Sequence, residues 1–271
     1  MRPNIYQKVL LSFLLILVIF WAYLFINDST EGFNNYFYSF LFGLTPFIGG
    51  LIAMYKSFMW GGFKSAVGKA VFFVGLGVFS WGCGEMIWSY YNFFMGVPAP
   101  YPSLADIGFA PSIFFYGLGA AFLSQATGAR FGLRSKVARV FVVIAPIIVF
   151  FVSYYFLIIV ARGGVLIPEN ETFLKAVLDI AYPFGDFVAL CLAVIISGLS
   201  FQYFGGQYKY DVVAILVGLG LMFIGDAMFS YTTTVGTYYN ANLGDLFLTL
   251  GTSALTYGVL GFCKIKSAHK A

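Results

Sequence analysis

Residues 8–26, KVLLSFLLILVIFWAYLFI, carry one charge, at Lys8, ahead of a run in which Ser12 is the main polar interruption. At 1.5 Å rise per residue, such a run is long enough to cross the roughly 30 Å hydrocarbon layer of a bilayer. It is too long for the apolar region of a signal peptide, and no small-x-small cleavage site follows it. The stretch therefore reads as a retained transmembrane helix.

The same reading extends along the chain. Apolar runs bounded by polar residues or by Gly and Pro predict helices at 8–26, 36–57, 66–95, 104–126, 138–160, 173–199, 211–234 and 243–264. The expected fold class is an all-α integral membrane protein of eight transmembrane helices. The third and sixth exceed a minimal span, which predicts tilt or projection from the bilayer. Composition agrees: 61% of the 271 residues are hydrophobic and 10% are charged, with a mean hydropathy of +0.89. A soluble domain carries roughly 25% charged residues. No polar stretch is long enough for a separate soluble domain, so residues 1–271 are expected to form one transmembrane domain in contact with a lipid bilayer.

With eight spans the basic residues sort to one face. Of the 15 Lys and Arg, all but Arg162 and Lys175 fall at the two termini or in the even-numbered connections, including Arg130, Arg134, Lys136 and Arg139 around a 127–137 loop. The positive-inside rule then places that loop and both termini in the cytoplasm, and the protein in the cell (inner) membrane as a multi-pass protein. The net charge of +4 follows this pattern and gives no sign of nucleic-acid binding.

The chain also resembles itself. Gly84-Glu85-Met86-Ile87-Trp88-Ser89-Tyr90 matches Gly225-Asp226-Ala227-Met228-Phe229-Ser230-Tyr231, and Ser103-Leu104-Ala105-Asp106 matches Asn242-Leu243-Gly244-Asp245. Pro46-Phe47 stands against Pro183-Phe184 at a similar offset, about 140 residues. Two repeats of four helices follow, one over about 1–126 and one over about 138–271. An even helix number per repeat makes them parallel.

Apart from Asp211, the first residue of the seventh predicted span, six of the 11 acidic residues fall within predicted spans, where a charge is costly and usually faces the bundle interior. Asp106 and Asp245 each lie three residues after Ser103 or Asn242, which is capping-box spacing, so helix capping is their preferred role and a secondary site the alternative. Glu85, Asp179, Asp186 and Asp226 have no such explanation. Trp81, Glu85, Trp88 and Asn92 share one helix face, and Asp179, Tyr182 and Asp186 share another. Pro183 and Gly185 predict a break in the sixth helix that would free carbonyls to line a cavity. Glu85, Trp88, Asp179, Tyr182, Asp186 and Asp226 are the candidate ligand-binding residues. Carboxylates beside aromatic faces suit a cation, an amine or protons. The alternative is interhelical hydrogen bonding between carboxyls and Tyr, Ser or Asn partners.

Other chemistries lack their residues. His269 is the one histidine and lies in the C-terminal tail; Cys83, Cys191 and Cys263 have neither metal-ligand nor disulfide spacing. No span carries a central lysine for a Schiff base, and the Gly pairs are not phosphate loops. No cofactor and no metal is expected.

Three stretches together resemble a known family: Trp81-Gly82-Cys83-Gly84-Glu85 through Pro102-Ser103-Leu104-Ala105-Asp106; Leu178-Asp179-Ile180-Ala181-Tyr182-Pro183-Phe184-Gly185-Asp186; and Gly225-Asp226-Ala227 with Gly236-Thr237-Tyr238. Their order is similar to the multi-helix membrane sensor regions of bacterial diguanylate cyclases and related signalling proteins. The resemblance implies an input module. With no effector domain after the last helix, it would signal to a separate cytoplasmic partner. The functional expectation is a sensory or binding module for a small, preferably cationic, extracytoplasmic or membrane-borne ligand. A small secondary transporter or proton- or cation-coupled carrier is the alternative. An intramembrane lipid-modifying enzyme is weaker, because no nucleophile is visible.

Overall fold

The computed structural model describes residues 3–127, 136–160, 162–165, 172–200 and 208–262. Among them are eight α-helices and no strand: α1 (Ile5–Ile26), α2 (Phe33–Ser57), α3 (Ala66–Phe93), α4 (Asp106–Thr127), α5 (Lys136–Tyr154), α6 (Phe173–Ser200), α7 (Lys209–Thr234) and α8 (Leu243–Gly261). Each lies within a few residues of a helix read from the apolar runs. A π turn, Tyr155–Val160, extends α5. The expected break in α6 is not present, and the helix continues through Pro183 and Gly185. Most of the 127–137 loop and the tail after residue 262, with Cys263 and His269, lie outside the described residues.

Helix starts are specified locally. The Asn4 side chain accepts from the Gln7 amide at 2.9 Å, and the Asn4 amide donates to Gln7 Oε1 at 3.0 Å. These are the two reciprocal bonds of a capping box, and they satisfy N–H groups that a helix start leaves free. Ser65 caps α3 through the Gly68 amide, and Asn242 caps α8 through the Asp245 amide.

Six helices are long and apolar enough to cross a membrane among the described residues: Ile5–Ile26, Phe33–Trp60, Ala66–Phe93, Asp106–Ala126, Lys209–Thr234 and Leu243–Gly261. Their exposed surfaces are apolar as well. α1 shows Ile5, Val9, Leu15, Ile16 and Ile19, and α5 shows Val140, Val143, Ile147, Ile148 and Phe151. Water-soluble monomers rarely expose contiguous apolar surface on this scale. The chain is therefore a polytopic, membrane-embedded helical protein.

Burial orders the helices. In α8, 67% of the apolar window is buried, against 17% in α1. α8 is thus central, packed on α1, α2, α3 and α7, whereas α1 meets the bundle along a narrow seam of Gln7, Leu10, Leu17 and Leu24. α2–α3–α4 and α6–α7–α8 each pack in series; α2 also lies on α8, and α4 on α6. Close approach needs missing side chains at two points. A Cβ at Gly108 would strike the backbone of Gly84, and one at Gly50 would strike the backbone of Gly75 and Phe79. Small residues let helices pack at such distances where water supplies no drive between them.

Candidate functional site

The turn between α7 and α8 organises one end of the bundle. Asn240 is buried there, and its Oδ1 accepts from Trp88 Nε1 at 2.8 Å and from Ser39 Oγ at 3.2 Å. Its backbone carbonyl accepts from Asn35 Nδ2 at 2.8 Å, and the same amide nitrogen donates to Ser29 O at 2.7 Å. Asn35 and Asn240 therefore bind the α1–α2 turn, α2 and α3 to the α7–α8 turn. Ala241 follows in the left-handed region, φ 68°, and its amide donates to Asp245 Oδ2 at 2.7 Å.

Beneath this turn, α3, α4, α6, α7 and α8 enclose a small cavity. Glu85 of α3, Asp106 of α4, Asp226 of α7 and Asp245 of α8 line it. Its walls are Trp81, Trp88, Tyr101, Phe109, Tyr182, Phe229 and Tyr238. Phe229 is the hinge of the aromatic packing: its centroid lies 4.9 Å from Tyr238, 5.1 Å from Tyr101 and 6.1 Å from Trp88, all edge to face. The cavity volume is about 40 Å³.

The four carboxyl groups are held differently. Asp106 Oδ2 accepts from the Ser103 amide at 2.6 Å, and Oδ1 accepts from the Tyr182 hydroxyl at 2.5 Å. Asp245 takes the Ala241 amide, and the Tyr238 hydroxyl lies 3.4 Å from Oδ1. Asp106 makes the expected box contact with the Ser103 amide, whereas Asn242 caps the Asp245 amide but the Asp245 side chain takes the amide of Ala241, one residue before Asn242; both aspartates also line the cavity. One oxygen of each takes a backbone amide, and the other meets a tyrosine hydroxyl, Tyr182 for Asp106 and Tyr238 for Asp245. Glu85 is 7% exposed, and its Oε2 meets no hydrogen-bond partner. The Tyr101 and Tyr238 phenols are pushed well above their ordinary range, first by burial and then by neighbouring carboxylates, Asp179 for Tyr101 and Asp245 for Tyr238. Both stay neutral hydroxyls.

Of the candidates read from sequence, Glu85, Trp88, Tyr182 and Asp226 line this cavity. The face Trp81, Glu85, Trp88, Asn92 is buried throughout. Asp179 does not line it. Its Oδ2 accepts from Arg162 Nη2 at 2.6 Å, with Lys175 Nζ at 3.7 Å, and its backbone oxygen accepts from Ser230 Oγ. Arg162 and Lys175, the two exceptions to the charge pattern, both turn on Asp179. Asp186 lies on α6, and its side chain is outside the described residues.

Sequence reasoning missed Tyr101, Tyr238 as a wall, and Asn240. The Asn34-Asn35 pair ahead of the second apolar run was a usable signal, because an amide at a helix start must find partners. The partner of Asn35, 205 positions away, had none. No group of three His, Cys, Asp or Glu among the described residues is placed to hold a metal ion. The carboxyl groups surround the cavity instead of converging. No family model matches the chain, and no characterised protein or solved structure is significantly similar to it.

Proposed function

We propose that the chain is an eight-span inner-membrane binding module that recognises a small cationic ligand in this cavity and passes the event to the cytoplasmic side. The observation that carries the reading is the meeting of Glu85, Asp106, Asp226 and Asp245 in one aromatic-walled cavity. Glu85 Oε2 is buried there without a hydrogen-bond partner; a carboxylate so placed in an apolar surround is expensive, and a cation offsets that cost. Rings add to the attraction.

The repeat supports it. Exchanging α1–α4 for α5–α8 turns the α2–α8 contact into the α6–α4 contact, and both exist. The same exchange turns Glu85 into Asp226 and Asp106 into Asp245, so each proposed repeat brings one carboxyl of each kind. Orientation has support too: Arg162 and Lys175 are consumed by Asp179, whereas other described lysines, such as Lys56 and Lys64, lie at the opposite end. Both termini would then be cytoplasmic and the cavity would lie toward the outer face. The likeness to cyclase-associated sensor regions points to the same role.

The experiment is thermal unfolding of the purified full-length protein across a panel of small cations. A stabilising cation whose effect survives both Glu85→Gln and Asp226→Asn would sink the proposed site. A carrier is the second reading, favoured by carboxyls from both halves around one cavity. Cation-driven or pH-driven flux in proteoliposomes would establish it, and stabilisation without flux would leave the binding module.

A further inference from the structure

A second, larger space lies over the cavity. It has a volume of about 660 Å³, is lined by Glu31, Tyr36 and Thr237 among others, and shares two walls with the inner cavity, Trp88 and Tyr238. Asn240 lines it as well. The two rings stand edge to face at 5.9 Å and form the partition between a polar vestibule and the carboxyl-lined chamber.

The partition is held unequally. Asn240 Oδ1 faces three donors: Trp88 Nε1 at 2.8 Å, Ser39 Oγ at 3.2 Å and Tyr238 OH at 3.5 Å. A carbonyl oxygen has two lone pairs, so the third donor is the weakest held. The Tyr238 hydroxyl also lies 3.4 Å from Asp245 Oδ1 and 3.5 Å from its Oδ2, so all its contacts are long. Trp88 is thus the fixed leaf and Tyr238 the leaf that yields.

Chamber chemistry narrows the ligand. Glu85 Oε2 is buried without a partner, and an acceptor in that position is satisfied by an N–H or O–H donor. A quaternary ammonium ion has none to offer; a primary ammonium group has three. Room for only a few waters, at about 10–15 Å³ each, suits a slim head group better than a branched one. A divalent metal ion lacks a converging ligand set.

We infer that the chamber is a site for a primary ammonium group, entered from the vestibule past Tyr238, with Asn240 as the latch and the rest of the amine left in the vestibule. The inference rests on the binding reading proposed above and sharpens it to a ligand class and a route.

The test uses the full-length protein in nanodiscs with methylammonium, n-butylammonium, tetramethylammonium and magnesium at matched ionic strength. Binding is followed by thermal shift and by stopped-flow tryptophan fluorescence. The two primary amines are expected to bind and the other two ions are not, with Glu85→Gln weakening n-butylammonium by about tenfold or more. Tyr238→Phe and Asn240→Ala are expected to speed association by about fivefold. Tetramethylammonium binding as tightly as methylammonium would overturn the ligand class and leave cation recognition standing. Unchanged association in both variants would overturn the route. No response to any cation would remove the inference together with the binding reading.

Discussion

Asp179 and Glu85 are both buried carboxyl residues near the same end of the bundle, and the fold treats them oppositely. Asp179 has its own cation: Arg162 bonds it at 2.6 Å and Lys175 stands behind. Glu85 faces rings and other carboxyl groups, and its Oε2 has no partner. A compensated carboxylate is finished as a structural element. An uncompensated one in an aromatic chamber is a standing demand for a donor or a positive charge. The difference separates the structural acid from the functional one more clearly than depth in the membrane does.

The largest expected effect breaks the compensated side. Arg162→Met leaves Asp179 buried beside Lys175 alone and is expected to destabilise the protein by about 3–5 kcal/mol, whereas the double variant Arg162→Met/Asp179→Leu recovers most of that loss. Thermal or chemical unfolding in detergent reads both. If the single and double variants unfold alike, the pair is not what holds α6 to the segment after α5.

Glu85→Gln probes the other side of the comparison. It adds a donor where the carboxyl has an unmet acceptor, so stability is expected to stay level or rise by about 1 kcal/mol, while stabilisation by a primary amine disappears. A marked loss of stability in Glu85→Gln would place Glu85 with Asp179, as a structural group.

Tyr182→Phe tests the intermediate case, an acid satisfied by a hydroxyl. Removing the donor to Asp106 Oδ1 is expected to cost about 1–3 kcal/mol, measured by unfolding, with Asp106→Asn in the same background recovering part of it. The smallest effect belongs to the turn above the chamber. Ala241 sits at φ 68°, a region that glycine enters freely. Relief of that strain, less the added freedom of the unfolded chain, makes Ala241→Gly more stable by about 0.5 kcal/mol. A loss instead would show that the Ala241 methyl packing outweighs the strain.

Much of the fold was legible beforehand because its causes are local. Roughly five to eight turns of apolar residues between polar punctuation admit a helix and little else in a bilayer, and Ser103-Leu104-Ala105-Asp106 and Asn242-Leu243-Gly244-Asp245 announce helix starts by spacing alone. The face Trp81, Glu85, Trp88 was legible for the same reason, since helical periodicity sets it. Pro183 was misread: a proline within an apolar helix reads as a break, yet in a membrane bundle neighbouring groups re-satisfy the freed carbonyl and the helix continues.

The sequence by itself determined an all-helical, membrane-embedded chain, where its helices start and stop, and which acids lie within them. Only the tertiary structure decided which acids meet. Asp179 and Glu85 look alike in the sequence, and their fates differ because Arg162 reaches one and Asn240 organises rings around the other. Hydrophobicity, caps and helical faces act between residues a few positions apart. The contact between Trp88 and Asn240 spans 152 positions, and packing alone brings such groups within hydrogen-bonding distance.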